Sequence, residues 1–138
     1  MTKFFVHFFS GKTFDNGKST ISTIGSICGG KAVGISVDVN VFQPHILAAN
    51  LAHAIGHNLG FRHDTMDSSY GTSATCTCPD WHGCLMRQTI IGEEGIQPYK
   101  FSSCSMQQFN QWMGEGRVYR LLKSTFFKER IPFVKYVL

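Results

Sequence analysis

The 138-residue sequence has little charge and no long apolar run. Only 16% of its residues are Asp, Glu, Lys or Arg, and the formal net charge is +4. No cluster of Lys and Arg is dense enough to indicate nucleic-acid binding, so we expect no nucleic-acid partner. No apolar run approaches the ~20 residues that a transmembrane helix requires, so we expect no transmembrane segment in this chain. With no internal repeat, the sequence predicts one globular domain with a core.

The N-terminus lacks the features of a secretory signal peptide. Its apolar segment, residues 4–9, is short, contains His7, and is not followed by a small-residue cleavage site. We interpret this segment as a buried strand that ends at Ser10 and Gly11. Because no signal peptide is recognisable, the sequence leaves the localisation of the chain itself open.

The sequence contains an odd number of cysteines. Four of the five fall within 29 residues, namely Cys76, Cys78, Cys84 and Cys104. This crowding indicates disulfides and an extracytoplasmic origin. A reduced chain in the cytosol is the alternative, and the missing signal peptide favours it. The two observations therefore disagree about the compartment.

Apolar patterning predicts an α/β chain. Strands are predicted at residues 4–9, 19–28 and 31–39, the last two from period-two alternation. Pro44 suits the first turn of a helix. The helix then carries apolar residues at three- and four-residue steps and ends at Gly60, a typical helix stop. We expect its buried stripe to be Leu47, Ala48, Leu51, Ala52, Ile55 and Leu59.

The second half of the chain shows less periodicity. Residues 64–104 are rich in Gly, Ser, Thr and Cys, which predicts an irregular region joined by disulfides. Ser105 and Gln108 have the spacing of a capping box, so a second helix is predicted from there to Gly114. We expect Met106, Phe109, Trp112 and Met113 to form its apolar stripe.

Three histidines have the spacing of a zinc site. His53 and His57 are four residues apart on the predicted helix, so their side chains project from one face. Neutral imidazoles there can bind one zinc ion at about 2.0–2.1 Å. Gly60 lets the chain leave the helix sharply, and His63 can then return beneath the metal. Three protein ligands leave a fourth position for water, as in catalytic zinc sites.

The alternative is a helix that carries two histidines by chance. Gly60, His63 and Asp64 argue against it, since each completes the same pattern. The segment from Ala52 to Asp64 in fact resembles the zinc helix of the metzincins. It is closest to the adamalysin (reprolysin) branch, the ADAM proteases and snake-venom metalloproteases.

The resemblance runs from about Phe4 to about Leu122 and is strongest at residues 50–64 and 84–106. It implies a partial zincin-like catalytic domain of the α/β class. Such a domain has a mixed sheet, a zinc-binding helix, an irregular disulfide-bearing lower subdomain and a C-terminal helix. It also implies that Met86 belongs to the Met-turn beneath the metal. Asp64 would be the buried acid that ties the helix exit to that turn.

The family pattern further implies two disulfides, Cys76 with Cys104 and Cys78 with Cys84. Cys28 would pair in the family with a cysteine at the position of Arg120. Cys28 is therefore expected to be unpaired, which accounts for the odd count. Loss of a native disulfide typically costs about 2–5 kcal/mol, so this departure bears on stability.

The most consequential departure is at Ala54. In the family this position holds a glutamate, which accepts a proton from the zinc-bound water and passes it to the leaving amine. Alanine cannot titrate, and loss of a general base typically costs about 10²–10⁴ in rate. Asp64 and Asp67 are the nearest acids, but family geometry would bury the first and place the second in a loop. We therefore predict no catalytic residue in this chain, since Ala54 occupies the position of the general base.

Other departures affect the ends of the domain and its cleft. Relative to the family, the N-terminal third of the catalytic domain is absent, so residues 1–122 are expected to be an incomplete peptidase domain. Residues 123–138 are a divergent tail, expected to be poorly ordered, although its basic and aromatic residues could alternatively contact a membrane surface. Thr20 and Ser22 replace the small residues usual in the strand that lines the cleft.

These observations predict a chain that binds zinc but is inactive or severely impaired as a metalloendopeptidase. A peptide or protein ligand could still occupy the cleft. One alternative is a non-catalytic adhesion or interaction module of the ADAM type. Another is a residually active metalloendopeptidase, and a product that does not fold is the last. The resemblance implies an extracellular or cell-surface location.

Overall fold

The computed structural model describes residues 5–15, 17–27, 29–38, 43–64, 78, 83–87, 99–115 and 134–137. Within these ranges the chain forms four strands and two helices. In chain order they are β1 (Val6–Ser10), β2 (Thr20–Ser22), β3 (Val33–Val37), α1 (Pro44–Asn58), α2 (Ser103–Gly114) and β4 (Val134–Val137). The α/β fold class predicted from the sequence is confirmed.

The strands form one mixed sheet in the order β2-β3-β1-β4. Strand β1 is parallel to both β3 and β4, whereas β2 is antiparallel to β3. A strand between two parallel neighbours is usually buried on both faces, which explains the apolar run around β1. His7 and Phe9 lie on one face of β1 and are buried. Helix α1 packs against β2 and β3.

Strand β4 is an element that the sequence analysis did not predict. It adds a parallel edge to β1, with Phe8 opposite Lys135, within the tail that we expected to be poorly ordered. Four residues are too few for period-two alternation to stand out, so only pairing with β1 identifies this strand. Residues 116–133 lie outside the described part of the chain.

Helix α1 begins and ends where the sequence indicated. Pro44 occupies its first turn, and Gln43 makes no side-chain cap. At the C-terminus Gly60 has a positive φ of 101°. Its N–H donates to the carbonyl of His57 at 2.8 Å, and the N–H of Phe61 donates to the carbonyl of Gly56 at 2.9 Å. This pair of bonds is a Schellman motif, which turns the chain sharply after the helix.

The buried face of α1 is not the predicted stripe. The buried residues are Ala49, Asn50, His53, Ala54, Gly56, His57 and Asn58, whereas Ala48 is exposed and the rest of the predicted stripe is partly exposed. Small and polar residues are buried because they make specific contacts. The side-chain amide of Asn58, for example, donates to the carbonyl of Thr23 at 2.8 Å and to Oγ of Ser26 at 2.9 Å.

Helix α2 begins earlier than the capping box predicted. Its N-cap is Ser102, whose hydroxyl accepts from the N–H of Ser105 at 3.0 Å. The predicted cap at Ser105 is therefore wrong, since that residue is fully buried inside the first turn. The helix ends at Gly114 as expected. Of its predicted apolar stripe only Trp112 is buried, and Met106 and Met113 are exposed.

Neither described helix is long and apolar enough to cross a membrane.

Candidate metal centre

Three imidazole rings converge at the C-terminal end of α1. His53 and His57 project from adjacent turns of the helix, and the turn at Gly60 returns His63 to them. Nε2 of His63 lies 3.1 Å from Nε2 of His53 and 3.0 Å from Nε2 of His57. Ligand atoms of a tetrahedral zinc ion are about 3.3 Å apart, given bonds of about 2.05 Å. The three nitrogens therefore fit around one zinc ion with a small expansion.

Backbone carbonyls set the tautomers of two of these rings. Nδ1 of His53 donates to the carbonyl of Leu85 at 2.6 Å, and Nδ1 of His57 donates to the carbonyl of Phe61 at 2.8 Å. A carbonyl can only accept, so the proton lies on Nδ1 and the Nε2 lone pair is free for a metal. Such outer contacts orient histidine ligands and raise their basicity. The Nε2 lone pairs of His53 and His57 are thus both directed toward Nε2 of His63, as they would be if the three rings shared one cation.

The electrostatic environment keeps the rings neutral, which is the metal-binding form. Burial lowers the pKa of His53 to about 4, although its bond to Leu85 partly opposes this. Burial also lowers the pKa of His57 and of His63. For His63 the nearby charges of His57 and Lys18 act in the same direction. His63 is the most exposed of the three, so the site opens to solvent on its side.

The segment 84–87 lies beneath the helix. Met86 is fully buried. A side chain at Gly56 would collide with Sδ of Met86 and would also lie 3.1 Å from the ring of Phe101. The absence of a side chain at Gly56 therefore allows this segment to approach the helix between the two metal-facing histidines.

Asp64 joins the helix exit to two other parts of the chain. Its N–H donates to the carbonyl of Met86 at 2.7 Å. Its Oδ1 accepts from the hydroxyl of Ser102, the N-cap of α2, at 2.6 Å. Burial raises the pKa of Asp64, and the bond from Ser102 partly offsets that rise. One residue thus couples His63, the Met86 segment and α2.

The cysteines near this region are oxidised. Cys78 and Cys84 form a disulfide, the pairing that the family resemblance implies. Cys104 is also disulfide-bonded. Its expected partner Cys76 lies outside the described residues, as do Cys28 and Arg120.

Ala54 lies within this assembly and is completely buried. Among the described residues, the histidine cluster contains no carboxylate. The carboxylate of Asp64 bonds to Ser102, and Asp67 lies outside the described residues. The site therefore brings together three candidate metal ligands, with alanine in the position of the family's general base.

A buried polar network in the sheet was missed by the sequence analysis. Nε2 of His7 lies 2.9 Å from Oγ of Ser36, which in turn lies 2.9 Å from Oγ1 of Thr20. Burial lowers the pKa of His7 to about 4. Each residue alone looks like an ordinary strand position. Only the strand register, which pairs Thr20 with Ser36, brings them together.

Comparison with known proteins agrees with this geometry. Residues 2–124 match the family model described as Reprolysin (M12B) family zinc metalloprotease. The chain is 37% identical over 112 residues to the Mus musculus disintegrin and metalloproteinase domain-containing protein 11, covering 80% of this chain and 13% of that protein. It is 32% identical over 114 residues to the Homo sapiens disintegrin and metalloproteinase domain-containing protein 22, covering 80% and 11%.

A third relative is the Caenorhabditis elegans disintegrin and metalloproteinase domain-containing protein unc-71. Identity there is 31% over 122 residues, covering 86% of this chain and 11% of that protein. The chain thus spans only a small part of the length of these relatives. The residues matched by the family model, 2–124, include all three histidines. This chain belongs to the reprolysin (M12B) family of zinc metalloproteases, and His53, His57 and His63 form a candidate site for the zinc ion.

Proposed function

We propose that this chain is an ADAM-type metallopeptidase domain that binds zinc but does not hydrolyse peptides at an appreciable rate. One observation carries the proposal. The Nε2 atoms of three histidines converge within 4.8 Å of one another, while alanine occupies the position after the first of them. Binding the ion and activating water depend on different residues, and only the first set is complete.

His53, His57 and His63 would hold the ion. The carbonyls of Leu85 and Phe61 keep the first two rings in the metal-binding tautomer. When bound, zinc supplies a Lewis acid with one open position. Met86 would form the apolar floor of the site, as the family resemblance implies, since it is fully buried against Gly56.

Hydrolysis also needs a group that accepts a proton from water. The methyl group of Ala54 cannot do so, and the absence of a general base is expected to lower the rate of hydrolysis by about 10²–10⁴. Asp64 does not replace it, because its carboxylate is buried and accepts from Ser102. We therefore expect hydrolysis to be abolished or severely impaired.

The test compares metal content with peptide hydrolysis. We expect one zinc per purified chain by mass spectrometry, and loss of that zinc in His57→Ala. Hydrolysis of a mixed peptide library should be undetectable for the native chain and should appear in Ala54→Glu. The matched control is Ala48→Glu, which places the same side chain on the exposed side of α1 and should stay inactive.

Two results would contradict the proposal. A folded native chain without zinc at micromolar metal would contradict the metal site. Hydrolysis by the native chain that a chelator blocks and that Ala54→Glu does not increase would contradict the inactive assignment.

A peptide ligand remains compatible with this site. Among the described strands β2 lies at one edge of the sheet, and Ile21 on it is 44% exposed. An edge strand can accept an extended peptide through backbone hydrogen bonds. We therefore extend the proposal to peptide binding without cleavage. If the chain is instead a zinc-independent interaction module, peptide affinity should be the same with and without a chelator.

The oxidised cysteines support an extracellular or cell-surface location. The Cys78–Cys84 disulfide and the bonded state of Cys104 are typical of oxidising compartments. Detection of the chain in a non-reducing gel of secreted and surface fractions would test this assignment.

A further inference from the structure

A second group of metal-ligating side chains lies beside the histidine centre and shares no residue with it. Asp64, Cys78 and Cys84 place one carboxylate oxygen and two sulfur atoms within 4.8 Å of one another. All three residues are buried. In the oxidised chain the two sulfurs are joined as a disulfide.

Only one of the two carboxylate oxygens of Asp64 accepts a hydrogen bond from a described residue. Oδ1 accepts from the hydroxyl of Ser102 at 2.6 Å. Oδ2 is buried and has no hydrogen-bond partner among the described residues. A buried polar atom without a partner carries a desolvation cost of about 1–3 kcal/mol, and more when it is charged. The carboxylate that lies beside both sulfurs therefore carries one oxygen that makes no hydrogen bond to a described residue.

We propose that reduction of the Cys78–Cys84 disulfide creates a second zinc site, with two thiolates and the Asp64 carboxylate as ligands. Zinc accepts this ligand set, with bonds of about 2.3 Å to sulfur and about 2.0–2.2 Å to oxygen. Tetrahedral bonds of these lengths separate the ligand atoms by roughly 3.4–3.8 Å, so the two sulfurs, which are bonded to each other in the oxidised chain, would move apart once the disulfide is reduced. Water would complete the coordination.

Two contacts favour Asp64 as a ligand. The hydroxyl of Ser102 orients the carboxylate, in the way that outer-shell donors orient metal-bound carboxylates. The N–H of Asp64 bonds to the carbonyl of Met86, so the backbone beneath it is fixed. Reduction would therefore add two thiolates to a carboxylate that is already in place.

The chemistry balances with a phosphine as reductant. The disulfide takes up two electrons and two protons to give two thiols, while the phosphine takes the oxygen atom of one water molecule and becomes a phosphine oxide. Binding of Zn²⁺ then displaces the two thiol protons into solvent. Zn²⁺ would then be held by two thiolates and the carboxylate, a ligand set that gives the site a net charge of −1.

The experiment counts metal ions on the whole chain before and after reduction. Zinc is measured by mass spectrometry after desalting, with and without a water-soluble phosphine under anaerobic conditions. We expect one zinc in the oxidised chain and two in the reduced chain. Cadmium is the second probe, since its bonds to thiolates produce an ultraviolet charge-transfer band that carboxylate and imidazole ligands do not.

Three variants assign the site. Cys78→Ser/Cys84→Ser keeps every other cysteine, so it should lose the second zinc and the cadmium band. Asp64→Asn keeps both thiols and should weaken the second zinc at least tenfold. His57→Ala disables the histidine centre and should still gain one zinc on reduction, which separates this inference from the proposed function.

Several outcomes would overturn the inference. A reduced native chain that binds one zinc, or that loses its helical circular dichroism, would do so. So would a second zinc that persists in Cys78→Ser/Cys84→Ser, because the other thiols would then be its ligands. If Asp64→Asn does not fold, the rate at which Cys78 and Cys84 re-oxidise in the reduced native chain is measured instead, with and without zinc. The inference requires zinc to slow this re-oxidation, and equal rates would overturn it.

Discussion

Replacing Gly56 with alanine tests whether the packing of α1 on the Met86 segment positions the metal ligands. Gly56 lies inside the helix, where glycine is about 1 kcal/mol less favourable than alanine. Helix propensity alone therefore predicts that Gly56→Ala stabilises the chain. The packing predicts the opposite, because the new methyl group would collide with Sδ of Met86 and lie 3.2 Å from the ring of Phe61.

The collision cannot be relieved cheaply. Met86 is 0% exposed and Phe61 is 3% exposed, so neither side chain can move into solvent. Inserting a methyl group into a well-packed core typically costs about 1–3 kcal/mol. We take the upper part of that range because the side chains of Met86, Phe61 and Phe101 all lie close to the position of the new methyl group. After the gain in helix propensity, the net effect is a loss of about 1–2 kcal/mol in the free energy of unfolding.

The same change should weaken zinc binding. Displacement of Met86 moves the adjacent carbonyl of Leu85, which accepts from Nδ1 of His53. Loss of such an outer contact typically costs about 10–100-fold in metal affinity. The assays are chemical denaturation of the zinc-free chain and competitive zinc titration with a chromogenic chelator.

The matched control is Gly114→Ala, at the end of α2. A methyl group there meets no atom within 4 Å, so only helix propensity changes. We expect this control to be neutral or stabilised by up to about 1 kcal/mol, with unchanged zinc affinity. If Gly56→Ala behaves like Gly114→Ala in both assays, the packing account of the metal centre is wrong.

Two further predictions concern buried polar contacts. Ser102→Ala removes the N-cap of α2 and the donor to Asp64, so the free energy of unfolding should fall by about 1–3 kcal/mol. The control Ser103→Ala changes an exposed neighbour and should cause no comparable loss. His7 has a pKa of about 4 in the folded chain and about 6.5 in the unfolded chain. Below pH 6.5 the unfolded chain therefore takes up a proton that the folded chain does not, and the free energy of unfolding decreases as the pH falls toward 4. Between pH 7 and pH 5 the native chain should lose up to about 2 kcal/mol relative to His7→Gln, which keeps a partner for Ser36; equal pH slopes in urea titrations would contradict this.

The histidine site could be predicted because its geometry is local. Spacing on a single helix places His53 next to His57, and a glycine immediately after the helix determines how His63 returns. The glycine, the Schellman bonds and the three converging rings all lie within 11 residues of chain. No long-range contact has to be known to arrive at that arrangement.

Other parts of the fold depend on long-range contacts and could not be predicted. The buried face of α1 follows polar bonds to the loop after β2, as Asn58 illustrates, and apolar spacing does not report them. Both Ser102 and Ser105 could serve as the N-cap of α2. Ser102 is favoured because its hydroxyl also donates a hydrogen bond to Asp64, a contact that the local sequence does not report. The network of His7 with Ser36 requires the strand register.

The contacts that hold the histidines do not depend on the residue at position 54, which supports the proposal that this chain binds zinc without hydrolysing peptides. The rings of His53 and His57 are positioned by backbone carbonyls, and His63 by the turn at Gly60. None of these contacts involves a side chain at position 54, where the methyl group is completely buried. A glutamate there would have to bury a carboxylate, which is unfavourable unless a partner satisfies it. Ala54→Glu should therefore lower the unfolding free energy of the zinc-free chain by more than Ala48→Glu does, and zinc should reduce the difference. Equal stability of the two variants without zinc would mean that position 54 faces open solvent in solution.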